Sequence, residues 1–276
     1  MTQVRTRVRD LVDFFFRRIF PPFPFFLRKP LLRLLNRAPF VSSGNKELWT
    51  VAGLRDLADR DNDEFNRFLW SNHLGPAAGF DASWRFEPGA EPSRRAFFTE
   101  LERQLHALGV DPSHDVGSVL EVGSSLGINL RHLEQGLFSS ADTLEGIDID
   151  TDAVRQGSEY LSKLRSRVRL REGDMGRLDD VLQDQRFDIV ICTGVLMYAT
   201  ASTAEQVINA MIRHSRHLLA ISEPWDPSGP HVREDGAHFH DIEALVREAG
   251  GRVVGVQHRP DIHYGVSHQF VFAQRA

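Results

Sequence analysis

The sequence predicts an α/β protein built on a doubly wound, largely parallel sheet. Three observations lead there. From residue 116 onward, short apolar runs alternate with stretches of helical periodicity, the pattern of repeated βαβ units with right-handed crossovers. The first run, Val119-Leu120-Glu121-Val122, opens into a glycine-bounded turn, Gly123-Ser124-Ser125-Leu126-Gly127, ahead of a helix. The second ends in acid, Gly146-Ile147-Asp148-Ile149-Asp150. Such a turn is expected to present free backbone N–H groups and a helix N-terminus at the carboxyl edge of the sheet. There, open α/β proteins hold nucleoside-bearing ligands.

The elements follow in order. Strand one is Ser118–Val122, with a helix over roughly 128–137. Strand two is Thr143–Ile149, with a helix over roughly 151–164. Strand three, 167–172, ends at Gly173-Asp174-Met175. Strand four, Phe187–Cys192, is an apolar run suited to the centre of a sheet. A helix near 203–214 precedes strand five, 217–222. A His-rich loop then leads to a helix near 241–249, with Asp241 as its N-cap and Gly250-Gly251 as its stop. Strands at 252–257 and 268–273 close the chain. About ten residues separate them, too few for a crossover helix, so the two are expected to pair antiparallel.

Upstream, composition divides the chain into residues 1–40, basic, aromatic and Pro-rich, and residues 41–115, mixed and helical. Residues 116–276 form the α/β region. Within 41–115, helices are expected over 54–69 and 93–108. In the second, Phe97, Leu101, Leu105 and Leu108 share one face, and Gly109 is placed to end it. Trp70, Asn72, His73 and Trp84 are polar-aromatic candidates for lining a substrate cover.

The 276 residues are 41% hydrophobic and 26% charged with a net charge of −5, a balance that argues against a dedicated nucleic-acid binder. The average hides an asymmetry: residues 1–40 carry +7 and eight of the nineteen Phe, and the remainder carries −12. Aromatic rings interleaved with Arg, as in Phe14-Phe15-Phe16-Arg17-Arg18, suit an interfacial anchor on an anionic membrane, or an arm that packs on its own domain or a partner. No cleavable signal is evident, and no apolar run approaches the ~20 residues of a spanning helix. The single cysteine, Cys192, excludes an internal disulfide and a cysteine metal cage. A cytoplasmic location, peripheral at the inner face of the membrane if the anchor holds, follows as an expectation.

The turn reads Glu121-x-Gly123-x-x-x-Gly127. A dinucleotide fingerprint would place glycine at 123, 125 and 128, where this chain has Gly, Ser and Ile. The turn therefore suits a ligand without a pyrophosphate. S-adenosylmethionine needs close backbone at its amino-acid portion, from Gly123 and Gly127, and a carboxylate for its ammonium, from Glu121. Asp148, twenty-five positions past Gly123, is placed to take the ribose hydroxyls. Asp150 competes for that role or caps the next helix. Ile149 is placed to pack on adenine, Asp174 to accept from the adenine amino group, and Met175 to line the ring. Thr193-Gly194 opens a loop near the reacting centre, with Tyr198 to orient a nucleophile or to pack. Glu223, His231, His238 and His240 are candidate general bases. His238-x-His240 with Asp241 is also a partial metal set, against which an active-site rim and a helix cap are the simpler reading, so no metal is expected.

Gly123-x-Ser125-x-Gly127 also spells a hydrolase nucleophile elbow. On that reading Ser125 would be a nucleophile served by Asp226 and a late histidine, and Asp148, Asp174 and the Thr193 loop would be left without purpose. A non-catalytic adenosyl-binding module is a further alternative.

Taken together, Gly123-x-x-x-Gly127, Asp148, Gly173-Asp174 and the strand-four run resemble the class I S-adenosylmethionine-dependent methyltransferases. Gly127-Ile128-Asn129-Leu130-Arg131-His132-Leu133 and Thr193-Gly194-Val195-Leu196 are similar to the bacterial branch that modifies glycans and secondary metabolites. The resemblance spans about residues 116–276. It implies a Rossmann-like seven-stranded sheet with the final strand antiparallel, and an S-adenosyl-L-methionine site at Glu121, Gly123, Gly127, Asp148 and Asp174. Ser124, Ser125, Asn129, Ile149, Met175, Thr193 and Gly194 complete the expected cofactor set. Ser125 departs from the glycine most members carry. The expected reaction is O-methylation of a small-molecule, glycan or lipid-linked acceptor. Residues 1–115 form an N-terminal, helical extension outside the resemblance.

Overall fold

The computed structural model describes residues 92–233, 237–263 and 266–276, together with 60–72 and positions 28, 30–32, 34, 54 and 57. Two compact units divide after Phe80. In the first, helix α1 (Asn62–Ser71) is capped by Asp61, whose carboxylate accepts the Glu64 N–H at 2.9 Å, and buries Phe65, Phe68 and Leu69. Trp70 and Asn72 lie at its end. His73, Trp84 and nearly all of the 1–40 segment lie outside the described residues, as do positions 55, 56, 58 and 59 of the expected 54–69 helix.

The second unit begins with α2 (Pro92–Ala107) and continues β1 (Ser118–Val122), α3 (Ile128–Gln135), β2 (Thr143–Asp148), α4 (Thr151–Lys163), β3 (Arg169–Glu172), α5 (Leu178–Leu182), β4 (Phe187–Thr193), α6 (Ala201–His214) and β5 (Ser215–Pro224). Then come β6 (His231–Val232), β7 (His238–Phe239), α7 (Ile242–Glu248), β8 (Gly251–His263) and β9 (Val266–Arg275). Seven strands form one sheet in the order β3-β2-β1-β4-β5-β9-β8. Strands β1 to β5 are mutually parallel, and β9, the last strand, lies antiparallel between β5 and β8. The strand order reverses beside β1, where ligands gather at the carboxyl ends of open α/β sheets.

Alternation along the central strands builds a core on each face. Leu120, Val122, Val190 and Cys192 pack with α6 and α7, and Val119, Ile189, Ile191, Phe270 and Phe272 pack with α2, α3 and α4. Glu121 shares the second face with Val119, two positions away. Helix α2 seats Phe97 against Phe270 and Phe272, with ring centroids 5.3 and 5.8 Å apart, so it belongs with the sheet. The compositional boundary at 115/116 therefore falls inside the second unit. Gly109 ends α2 at φ +74°, and Asp241 caps α7 through the Ala244 N–H.

Two differences from the sequence reading stand out. The His-rich loop contains a two-stranded ribbon in which His231 pairs with Phe239 and Val232 with His238. Strands β8 and β9 also run well past the apolar core their sequence marks, because antiparallel pairing with a neighbour continues the ladder beyond the buried residues.

Gly157 lies where α4 crosses the glycine turn. A Cβ there would fall 2.6 Å from the Leu126 carbonyl oxygen. Alanine gains about 1 kcal/mol over glycine by helix propensity alone, but backbone cannot yield as a flexible side chain does. Gly157→Ala is expected to lose about 1–3 kcal/mol net in urea unfolding.

Candidate active site

The carboxyl ends of β1, β2 and β4 converge on a small set of polar groups. The turn after β1 holds three residues at positive φ: Gly123 at +75°, Ser125 at +48° and Gly127 at +75°. At Gly123 a side chain would collide with the methyls of Val195, from the loop after β4. The N–H groups of Gly123, Ser124 and Ser125 are not free, contrary to the expectation from sequence. Gly123 and Ser124 both donate to the Ile147 carbonyl, at 2.8 and 3.0 Å, and Ser125 donates to Asp148 Oδ2 at 2.7 Å. The turn is stitched to β2 because its left-handed residues aim successive N–H groups at that strand's end.

Asp148 and Asp150 separate by environment. Asp148 accepts from the Ser125 N–H on one oxygen and from the Asp150 N–H, at 2.9 Å, on the other. Burial pushes its carboxyl up, against the pull of those donors. Asp150 is turned inward and caps α4 through the Ala153 N–H at 3.0 Å. Each Asp148 oxygen keeps a further acceptor direction, which suits a pair of hydroxyls. Ile149 is half-buried between them.

Glu121 is 1% exposed. Its Oε1 accepts from Asn129 Nδ2 at 2.6 Å and from the Thr193 hydroxyl at 3.5 Å. Its Oε2 makes no hydrogen bond among the described residues. Burial pushes its carboxyl up to about 8, with Asn129 and Arg94 opposing. Asn129, in the first turn of α3, also donates to Thr193 Oγ1 at 2.9 Å and accepts from Arg94 Nε. Arg94, Asn129, Glu121 and Thr193 thus form one chain from α2 to β4. Sequence reasoning missed Arg94. Its signal was Arg94-Arg95 in the first turn of a helix, where the dipole favours acid.

Asp174 Oδ1 accepts the Gly176 N–H at 2.9 Å and caps a 3₁₀ turn over Met175–Arg177 at the end of β3. Met175 packs at the margin of the core. Gly194 adopts φ +64° with open space where a Cβ would stand. Ser124 is buried beneath the turn.

The candidate bases divide. Glu223 is buried, and Val195, Leu196 and Met197 all donate their N–H groups to it, at 2.8, 3.0 and 3.2 Å. Burial pushes its carboxyl up to about 7, against those three donors. His240 is buried, with Nε2 3.0 Å from both the Leu196 and Ala199 carbonyls, and burial holds its pKa below the usual histidine value. Both groups are committed to the loop after β4. The ribbon carries the other two: exposed His231 stacks on Phe239 at 4.9 Å, and His238 stacks on His240 at 5.5 Å. Tyr198 ends the 3₁₀ turn Leu196–Tyr198. Among the described residues no three His, Cys, Asp or Glu side chains gather as metal ligands. Ser125 uses its N–H on Asp148, and no histidine among the described residues bonds its hydroxyl.

The arrangement can take a cation at Glu121 Oε2, a pair of hydroxyls at Asp148 and a flat apolar group beside Ile149 and Met175. Residues 119–217 match the family model described as a methyltransferase domain. No curated protein sequence matches the chain. Among solved structures, the chain resembles magnesium protoporphyrin IX methyltransferase of Synechocystis with bound S-adenosylmethionine, at 18% identity over 78% of this chain and 98% of that one, TM-score 0.52. It also resembles the N-methyltransferase NodS of Bradyrhizobium japonicum with S-adenosylhomocysteine, at 16% identity over 78% and 99%, TM-score 0.55. A third is 1,6-didemethyltoxoflavin-N1-methyltransferase of Burkholderia thailandensis, at 16% identity over 87% and 92%, TM-score 0.55. At these identities the structures establish a shared fold.

One consequence concerns the ligand-free protein. The folded carboxyl of Glu121, near 8, lies above its unfolded value of 4.5. It therefore disfavours the folded state increasingly as pH rises from 4.5 to 8. Glu121→Gln is expected to match wild-type stability at pH 5 and to exceed it by a growing margin up to pH 9 in denaturant titrations.

Proposed function

We propose that this chain, a class I S-adenosylmethionine-dependent methyltransferase, methylates an oxygen of a small-molecule, glycan or lipid-linked acceptor that enters against the loop after β4. The single observation behind the cofactor placement is Glu121: a buried carboxylate oxygen with no partner among the described residues, one turn away from glycines at positive φ. A buried unpaired carboxylate is costly, and an amino-acid ammonium would complete it. Asp148, already fixed by two backbone donors, is suited to hold the ribose hydroxyls. Ile149, Met175 and Asp174 would flank the adenine, and Gly123, Ser124, Ser125 and Gly127 shape the turn beneath the amino-acid portion. Asn129 and Thr193 orient Glu121, and Gly194 leaves room for close approach. When bound, S-adenosylmethionine supplies an electrophilic methyl group on a sulfonium.

The chain's own residues supply alignment and exclusion of water. An acceptor hydroxyl must also give up its proton. Glu223 and His240 are held by backbone groups, so His231, His238 and Tyr198, at the same sheet edge, are the proposed proton acceptors or positioning groups. The +7 segment at residues 1–40 would bring a lipid-linked acceptor and the enzyme to one anionic surface. No helix among the described residues is long and apolar enough to cross a membrane.

Calorimetry tests the site. Both S-adenosylmethionine and S-adenosylhomocysteine are expected to bind, with Asp148→Asn weakening each by about tenfold or more, the ~1.4 kcal/mol expected of a charge-assisted hydrogen bond. Because Glu121 is largely protonated at pH 7 in the free protein, binding a cation there should release a proton. The apparent enthalpy should then differ between phosphate and Tris buffers in the wild type and coincide in Glu121→Gln. Ser125→Ala should leave turnover within about threefold. Its abolition would instead support the hydrolase elbow.

A further inference from the structure

We propose that Glu223, His240 and Gln269 are positioning residues that clamp the loop Gly194–Ala199 onto the cofactor turn, with His240 acting as a hydrogen-bond donor through Nε2. The inference rests on the methyltransferase reading above and assigns these buried groups a task in it.

The clamp closes from two sides. Three consecutive N–H groups, of Val195, Leu196 and Met197, converge on the one carboxylate of Glu223. The carbonyls of Leu196 and Ala199 face the single nitrogen Nε2 of His240, each at 3.0 Å. A ring nitrogen shared by two carbonyls must carry a proton, in the neutral and the charged ring alike. The lone pair of the neutral ring then lies on Nδ1, and Nε2 is committed to the loop. Gln269 holds His240 in turn: its Nε2 donates to the His240 carbonyl at 2.6 Å, and its Oε1 accepts the Ile242 N–H at 3.3 Å. Gln269 is the antiparallel partner of Glu223 in the β5–β9 register. The loop is thus tied to β5, β9 and the start of α7 by three side chains that are all buried.

Such a set is expensive to bury. It satisfies three N–H groups and two carbonyls of the loop that apolar residues of the same volume would leave unpaired. Its effect is geometric. Val195, held by Glu223, packs its methyls where a side chain at Gly123 would stand. Releasing the loop would loosen the turn beneath the cofactor and move Met197 and Tyr198 together.

The test compares His240→Gln, whose amide can donate from the position of Nε2, with His240→Leu, which cannot donate. Histidine-ring ¹⁵N correlation spectra at pH 7 should show the proton of His240 on Nε2. Amide exchange at residues 195–197 should stay within about threefold of wild type in His240→Gln and rise at least tenfold in His240→Leu and Glu223→Gln. The dissociation constant for S-adenosylhomocysteine should follow the same order, near wild type for Gln and about tenfold weaker for Leu. A base role predicts unchanged affinity in both His240 variants, and that result would overturn the proposal. So would a bare Nε2, or exchange in His240→Gln as fast as in His240→Leu. If His240→Leu does not fold, the ring spectrum and His240→Gln decide. If wild type fails to bind S-adenosylhomocysteine, the functional reading falls, and exchange and ring spectra on the ligand-free protein still judge the clamp.

Discussion

A carboxylate buried at the end of a central strand is the constraint around which this site is arranged. Glu121 sits where β1 is flanked on both sides by parallel neighbours, so water cannot reach it from within the sheet. One oxygen is satisfied by Asn129 and Thr193, which fixes the start of α3 and the end of β4 relative to β1. The other is buried without a hydrogen-bond partner among the described residues. Burial without a partner pushes the carboxyl up to about 8, and a cation placed beside Oε2 would favour its charged form. Arg94 reaches the same network from α2 and balances part of its charge.

Glu121, Asp148 and Glu223 lie along this edge, and their surroundings divide the work. Glu121 is half-satisfied and buried. Asp148 is held on both oxygens by backbone N–H groups, which orients it while leaving acceptor directions open. Glu223 is saturated by three backbone donors and faces a loop. The same functional group thus differs in what it can still accept according to how many N–H groups the backbone turns toward it.

Much of this was legible in the sequence because it depends on local rules. The glycine turn, the acid at the end of β2, the apolar run of β4 and the antiparallel closing pair each follow from a few contiguous residues, and the sheet order agrees with them. That Asp150 caps α4 while Asp148 stays half-buried at the strand end was likewise within reach, since N-cap position and strand end are local properties. What was not legible depends on contacts distant in sequence. His240 and Glu223 looked like bases because histidine and glutamate after a strand suit proton transfer. Only the carbonyls of Leu196 and Ala199, over forty positions away, show that the imidazole is committed as a donor. Arg94 lies thirty-five positions from Asn129, outside the stretch that carried the resemblance, and only the packing of α2 on the sheet brings it in.

The most direct test of the central claim is a crystal structure of the protein with S-adenosylhomocysteine. The account predicts the amino-acid ammonium within hydrogen-bonding distance of Glu121 Oε2 and the two ribose hydroxyls on the carboxylate of Asp148. A ligand seated elsewhere, or one that leaves both carboxylates untouched, would contradict it.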